Sequence, residues 1–396
     1  MNTHVFVVDA RTFKLHLEFM FAGTGAGTLD VDFNDRSKTR LNGKSENLLV
    51  SMIADANRIR RGDLILFYLQ RNTENKIQEG KFYGIFKATQ DYAFLNHYDS
   101  RQYLRRKLGK SLTFRTLIKP SEVYSVGITE WEALDEISDI KKPQQMLWSL
   151  IYRKLKGKRG NTMITPYESK RLCELIKRKN NKRSIIAHDK LLSFDVSSQK
   201  IICLEGNRRA YQGRNETINI LPRLVERNRR DNQFENHLQA YIARNVGTKL
   251  NAGLDDCLLG QKRLEWFGNE VSCGVGMQRI DLLLSLTSGT RRTLGIVELK
   301  SQHANGKTIN QMQRYVDWVR QYYAPNCRGT TQIEPVLIAR RVKRKSTAKG
   351  INTIHYQRFI ESMKQFNDNN RRNCNNLRYV EFDVVGDDVV FESVEY

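Results

Sequence analysis

Two apolar runs and the short turn between them set the strongest constraint on this chain. They read Gln278-Arg-Ile-Asp281-Leu-Leu-Leu-Ser-Leu286 and Leu294-Gly-Ile-Val-Glu298-Leu-Lys300, joined through Thr287-Ser-Gly-Thr290. Apolar runs separated by a Gly-containing polar turn predict a β-hairpin. Side chains alternate across a strand, so Glu298 and Lys300 share one face with Leu299 opposite, and the hairpin brings Asp281 alongside them. Two carboxylates and an ammonium then converge. Hard oxygen ligands of this kind suit Mg²⁺, which keeps several waters and can activate one of them toward a phosphate. Glu-x-Lys alone is unspecific. It also occurs at Glu74/Lys76, Glu79/Lys81 and Glu168/Lys170, in polar surroundings that read as solvated surface. Only the fourth copy ends an apolar strand that follows another strand bearing an acid.

The residues that follow extend the pattern. Lys307–Tyr323 predicts a helix, with Ile309, Met312, Tyr315, Val316 and Val319 spaced for one buried face. Gln311 and Tyr315 stand one turn apart on it. Upstream, Asp231–Val246 predicts a helix that carries Glu235, which by spacing alone reads as a solvated acid. Strands are expected at Leu264–Ser272, Pro335–Arg340 and Leu377–Val385, a helix at Ile351–Phe366, and an edge strand at Val389–Val394.

With Glu235, Asp281, Glu298-Leu-Lys300 and Gln311-Met-Gln-Arg-Tyr315 in this order, residues 231–396 resemble the PD-(D/E)xK nuclease superfamily, in particular its RecB-like and NucS-type endonuclease domains. Ile280 stands where that pattern usually has Pro. The resemblance implies an α/β, restriction-endonuclease-like αβββαβ core. It implies Mg²⁺, replaceable by Mn²⁺, held by Asp281, Glu298 and the Leu299 carbonyl. Lys300 would assist the attacking water, Gln311 and Tyr315 would orient the site, and Glu235 would join it.

The chain has 396 residues, enough for two or three domains. Its formal net charge is +23, which points to a polyanionic partner. The excess is concentrated: residues 141–230 hold 23 Lys/Arg against 7 Asp/Glu, a net +16. A solvated basic surface is the plain alternative, but so large a local excess favours phosphate contact. Lys156, Lys158 and Arg159, set among glycines, are candidate backbone contacts. Arg341, Lys343, Arg344 and Lys345 are further candidates in a basic loop expected beside the acidic site. Six scattered cysteines form no Cys-x-x-Cys pair, so neither a zinc cluster nor a redox motif is expected. No signal peptide is evident, and a cytoplasmic chain with free thiols is expected. No apolar run reaches membrane-spanning length, so no membrane partner is expected.

The first 180 residues read as a recognition module and 181–230 as a basic connector, with two short strand-like runs over Ile185–Leu204 and an Arg-rich arm over Arg208–Arg230 that is expected to order on nucleic acid. In the module, His4–Asp9, Leu64–Leu69 and Phe82–Ala88 read as strands, Asn47–Arg58 as a helix, and Phe19–Asp30 as a Gly-rich loop without the Gly-Lys-Ser/Thr of a phosphate loop. Thr165-Pro166 reads as a helix start, with the helix over Pro166–Lys179. Arg61-Gly-Asp-Leu-Ile-Leu-Phe-Tyr-Leu69, Phe82-Tyr-Gly-Ile-Phe86 and Phe114–Gly127 together resemble the EVE/PUA-like β-barrel family, here with added helices. That resemblance implies binding of RNA or of an extruded, often modified, base, which needs aromatic stacking faces. Phe19, Phe21, Tyr68, Tyr83 and Trp131 are the candidates, against the plain reading that strand aromatics are core.

Together these features lead to a metal-dependent DNA endonuclease, of the restriction type, that recognises a modified or specific target. The alternatives are a NucS-like mismatch- or structure-specific repair enzyme and, in another class, a catalytically silent DNA- or RNA-binding protein. No nucleotide cofactor is expected, because no nucleotide-binding motif is present. Cutting both strands implies a homodimer.

Overall fold

The computed structural model describes residues 1–25, 43–74, 76–96, 101–135, 140–147, 160–185, 190–230, 234–273, 278–327, 329–341 and 353–396. The chain is a mixed α/β protein that divides into two compact units, one of residues 1–140 and 147–219, the other of 141–146 and 220–396.

The first unit contains β1 (Thr3–Val8), α1 (Ala10–Glu18), β2 (Phe21–Thr24), α2 (Gly43–Asn57), β3 (Leu64–Leu69), β4 (Lys81–Ala88), β5 (Phe94–Leu95), α3 (Arg105–Leu108), β6 (Phe114–Pro120), β7 (Ile128–Thr129), α4 (Glu130–Asp135), β8 (Asn161–Ile164), α5 (Pro166–Lys179), β9 (Lys190–Asp195) and β10 (Lys200–Asn207). Eight strands form one sheet in the order β2-β6-β4-β3-β1-β8, with β5 beside β6 and β7 beside β4. β1 and β3 run parallel and the other pairs antiparallel. β9 and β10 form a separate hairpin. The helix over Pro166–Lys179 starts as the sequence predicts. Thr165 caps it by accepting from Glu168 N (3.3 Å), while Glu168 Oε2 accepts from Thr165 N (2.8 Å). α1 was not foreseen. Asp9 caps it, accepting from Thr12 N at 2.8 Å, while Asp9 N donates to Thr12 Oγ1 at 3.1 Å.

The second unit contains α6 (Leu221–Arg229), α7 (Glu235–Asn245), α8 (Ala252–Leu258), β11 (Arg263–Cys273), β12 (Gln278–Ser288), β13 (Arg291–Lys300), α9 (Gly306–Trp318), β14 (Thr330–Arg340), α10 (Thr353–Asn370), β15 (Arg378–Val385) and β16 (Asp388–Val394). Its six strands form one sheet in sequence order, β11 to β16. β11, β12 and β13 are antiparallel, β13, β14 and β15 are parallel, and β16 closes the far edge antiparallel. Parallel neighbours need crossovers, and α9 and α10 supply them. The two-residue turn between β12 and β13 has Gly289 at its first position with φ +60°, a conformation that glycine adopts without penalty. Ile280, Leu282, Leu283, Leu284 and Leu286 on β12, and Leu294, Ile296, Val297 and Leu299 on β13, are all buried. Near-continuous apolar strands of this kind are the mark of a sheet covered on both faces.

The 181–230 stretch, expected as a connector, is divided between the units. Its β9–β10 hairpin belongs to the first and α6 to the second. α6 forms because Leu224 and Val225 become buried, which outweighs the polarity of the surrounding arginines.

Candidate active site

The hydrogen-bonded ladder between β12 and β13 runs from Ser288↔Arg291 to Leu282↔Val297 and ends there. The next pair by register is Asp281 and Glu298. Instead of a backbone bond at that point, the Asp281 side chain enters the gap, and its Oδ2 accepts from Leu299 N at 2.8 Å. Two carbonyls of β12 left without β13 are taken by side chains from helices. Gln239 Nε2 on α7 donates to Asp281 O at 3.0 Å, and Tyr315 Oη on α9 donates to Arg279 O at 2.6 Å. The opening between the strands is therefore built, with these two freed acceptors supplied with donors.

On β13, Glu298 is only 1% exposed. Its Oε1 accepts from Lys300 Nζ at 2.7 Å, and Lys300 Nζ lies 3.8 Å from Glu235 Oε1 at the start of α7. Glu235 is thus brought to the site by the lysine. Gln311 Nε2 donates to Tyr315 Oη at 2.5 Å, so the Gln-x-x-x-Tyr pair acts through the backbone of β12. All six residues expected to be catalytic lie in one network around this opened rung.

Burial pushes the Asp281 carboxyl well above the usual carboxylate range, and the Glu298 charge adds to the shift. Burial also raises Glu298, with Lys300 opposing. For Lys300, burial works against the charge, but Glu298, Glu235 and Asp281 outweigh it and raise its pKa, so it stays an ammonium. Two buried like charges side by side are unfavourable without a counter-charge. Two acceptor atoms bear the same sign. Glu298 Oε2 and Gln239 Oε1 are both buried and have no hydrogen-bond donor among the described residues. Buried acceptors without a donor are rare in folded proteins, and a hard cation with its waters is one kind of group that would satisfy them. Among the described residues no group of three or more His, Cys, Asp or Glu side chains is arranged to hold a metal. The donors available here are two carboxylates and the backbone, a set that fits Mg²⁺ rather than Zn²⁺.

Sequence reasoning missed Gln239, Arg279 and Glu270. Gln239 stands four residues after Glu235 on α7, a spacing that would have placed it on the same helical face. Arg279 and Glu270 form an ion pair at 2.8 Å beside Asp281. Glu270 sits mid-strand with φ +52°, for which its residue type gives no signal.

Of the expected phosphate contacts, Arg341 lies within the described residues. Arg341 is engaged by Glu381 at 3.9 Å and by Glu392. Lys156, Lys158, Arg159, Lys343, Arg344 and Lys345 lie outside the described residues. The five aromatic candidates do not converge. Phe19 and Phe21 are buried with Leu15, Leu108 and Leu112. Tyr68 belongs to a separate cluster with Val5, Leu66 and Phe82. Tyr83 packs on Phe13 and Phe194, and its hydroxyl donates to Gln199 O at 2.8 Å. Trp131 is 60% exposed.

No helix among the described residues is long and apolar enough to cross a membrane. No family model matches the chain, and no curated protein matches it. Among solved structures it is similar to a hypothetical protein from Leishmania major, with 10% identity and a TM-score of 0.28 over 45% of this chain and 96% of that one. It is also similar to the restriction endonuclease FokI, with 12% identity and a TM-score of 0.19 over 62% of this chain and 41% of that one. TM-scores this low carry no argument about activity.

Proposed function

We propose that this chain is a Mg²⁺-dependent DNA endonuclease that hydrolyses phosphodiester bonds at the opened rung of β12 and β13. One observation carries the reading: buried Glu298 lies next to buried Asp281, with one oxygen on Lys300 and the other facing no donor but the Asp281 carboxyl. Asp281, Glu298 and the Leu299 carbonyl would hold the metal, with Mn²⁺ able to replace it. When bound, the ion would lower the pKa of a coordinated water and offset charge on the phosphate. Lys300, held as an ammonium by Glu298 and Glu235, would orient the attacking water and donate toward the phosphate. Gln311 and Tyr315 would fix the β12 backbone that carries Asp281.

The finer reading is a restriction enzyme acting on intracellular DNA as a homodimer. Its core would be the αβββαβ arrangement of the PD-(D/E)xK nucleases. Residues 1–180 would form an EVE/PUA-like module that selects a modified or specific target, and the basic balance of 141–230 would supply phosphate contacts. Support for this comes from the motifs at 61–88 and 114–127 and from the charge map. The test is cleavage of three duplexes, one unmodified, one with modified cytosines and one with a mismatch or flap, with and without Mg²⁺. Metal-dependent cutting that Lys300→Ala reduces by at least about a hundredfold is expected, a typical loss for one electrostatic catalytic group. Preference for the modified duplex selects restriction, and preference for the mismatch or flap selects repair. Tight binding with no cutting of any duplex replaces the nuclease reading with a silent binding protein.

A further inference from the structure

The pairing of β11 with β12 contains one irregular position that bears on this site. Rungs Asn269↔Leu282 and Val271↔Ile280 flank it, so Glu270 and Asp281 face each other by register. Directly opposed residues of antiparallel strands point to the same face. A regular strand would therefore set Glu270, Asp281 and Glu298 in a row of three carboxylates. The chain instead places Glu270 in the left-handed region, φ +52°, a conformation that is costly for a residue with a Cβ and is held only where the surroundings enforce it. The Glu270 carboxylate goes to Arg279, whose Nη1 lies 2.8 Å from its Oε2.

Arg279 is two residues before Asp281 on β12 and so shares its face. Its backbone is fixed through the carbonyl that accepts from Tyr315, itself tied to Gln311. Its side chain is 39% exposed, and the ion pair uses only one of its nitrogens. On α9, the neighbouring Arg314 reaches the same strand, donating from Nε to Gln278 Oε1 at 3.1 Å. An arginine anchored at its backbone and oriented on one side by a carboxylate keeps donors free for a two-oxygen acceptor. Guanidinium and phosphate match in this geometry.

We infer that Arg279 is a phosphate-binding residue of this site, oriented by Glu270, and that it holds a phosphate of the DNA backbone beside the Asp281/Glu298 pair. The inference rests on the endonuclease reading for which phosphate is bound, but not for the contact itself. Glu270 is a positioning residue, and its left-handed backbone both lifts a third negative charge out of the carboxylate row and aims it at the guanidinium.

The test uses the full chain with Arg279→Ala, Arg279→Lys and Glu270→Gln, each checked by thermal melting. Steady-state cleavage of the best duplex in Mg²⁺ gives KM and kcat. Binding of the same duplex in Ca²⁺ across a salt series gives the slope of log affinity against log salt. For Arg279→Ala, a KM rise of about tenfold and a salt slope smaller by about one are expected. Arg279→Lys keeps the slope but raises KM several-fold, because the paired contact is lost. Glu270→Gln raises KM with the slope unchanged. A purely structural ion pair moves the melting temperature without moving the slope. Wild-type KM and slope in both Arg279 variants overturns the inference while leaving the nuclease reading intact. If the wild type binds DNA but does not cut it, the nuclease reading fails and the Arg279→Ala slope still decides the contact. Absence of both cutting and binding overturns both.

Discussion

Asp281 and Glu298 lie side by side out of water, and each is raised by burial, with the Glu298 charge a further cause at Asp281. A carboxyl whose folded pKa is raised loses stability as pH rises through that value. The metal-free protein at pH 8 is therefore strained by this pair. Asp281→Asn cannot ionise, keeps an oxygen for Leu299 N, and brings an NH₂ toward Glu298 Oε2. Stabilisation on the order of 1 kcal/mol is expected, a rise of about 2–4 °C in melting for a unit of this size. Millimolar Mg²⁺ should raise the melting temperature of the wild type by linkage and leave Asp281→Asn unmoved. A Mg²⁺ shift retained in the variant would remove Asp281 from the metal site. At this scale, the sequence revealed the residues whose spacing encodes a shared face: Asp281, Glu298 and Lys300. It did not reveal Arg279 or Glu270, because their relation depends on a left-handed residue inside a strand. His16 was equally hidden. It is buried between Phe21 and Phe67 with both ring nitrogens lacking a partner among the described residues. Burial pushes its pKa down to about 3.

The elements were legible where hydrophobic period and turn chemistry agree. The β12–β13 hairpin, α5 and α9 are such cases. α1 was missed because Phe13, Leu15 and Leu17 alternate as a strand would, and its Thr12 closes the cap where the usual signature has Glu or Gln. The early end of the β12–β13 ladder was not legible at all, since nothing in two apolar runs says where they part. That parting gives Tyr315 its role. Its hydroxyl takes the place of β13 at Arg279 O. Tyr315→Phe leaves that carbonyl and Gln311 Nε2 without their partner, which should destabilise the protein by about 1–3 kcal/mol. Urea unfolding measures this. The same variant should lower kcat/KM, and Gln311→Ala should do so less, because the hydroxyl remains on Arg279. Equal activity losses in both variants would place Gln311, not the hydroxyl, in direct control of the site.

For the whole molecule, the charge map was legible from composition, but the division into units was not. Residues 141–146 join the second unit, where Asn326 Nδ2 donates to Gln144 O at 2.6 Å, a contact no local pattern foretells. Buried His4 and His16 of the first unit and the buried carboxylate pair of the second predict opposite responses to acid. In the first unit burial lowers the pKa of His4 and His16. His4 lies 3.0 Å from Asp63, whose own pKa is lowered because its hydrogen bonds, led by that to His4, outweigh burial. A histidine with a depressed folded pKa contributes stability that is present above about 6.5, where the unfolded chain is also neutral, and is lost as pH falls below it. His16 alone should cost the first unit about 2 kcal/mol at pH 5, by the linkage relation. Asp63 adds its loss only below about pH 4, as pH falls through its folded value. The Asp281/Glu298 pair of the second unit has the reverse sign, so acid relieves it. Calorimetry between pH 8 and pH 5 should show the first unit's transition falling relative to the second's. His16→Leu should cancel most of the fall, because the side chain left in the cluster takes no proton in either state. One transition that moves as a whole, in wild type and variant alike, would show that the units melt together and that the buried histidine does not govern acid stability.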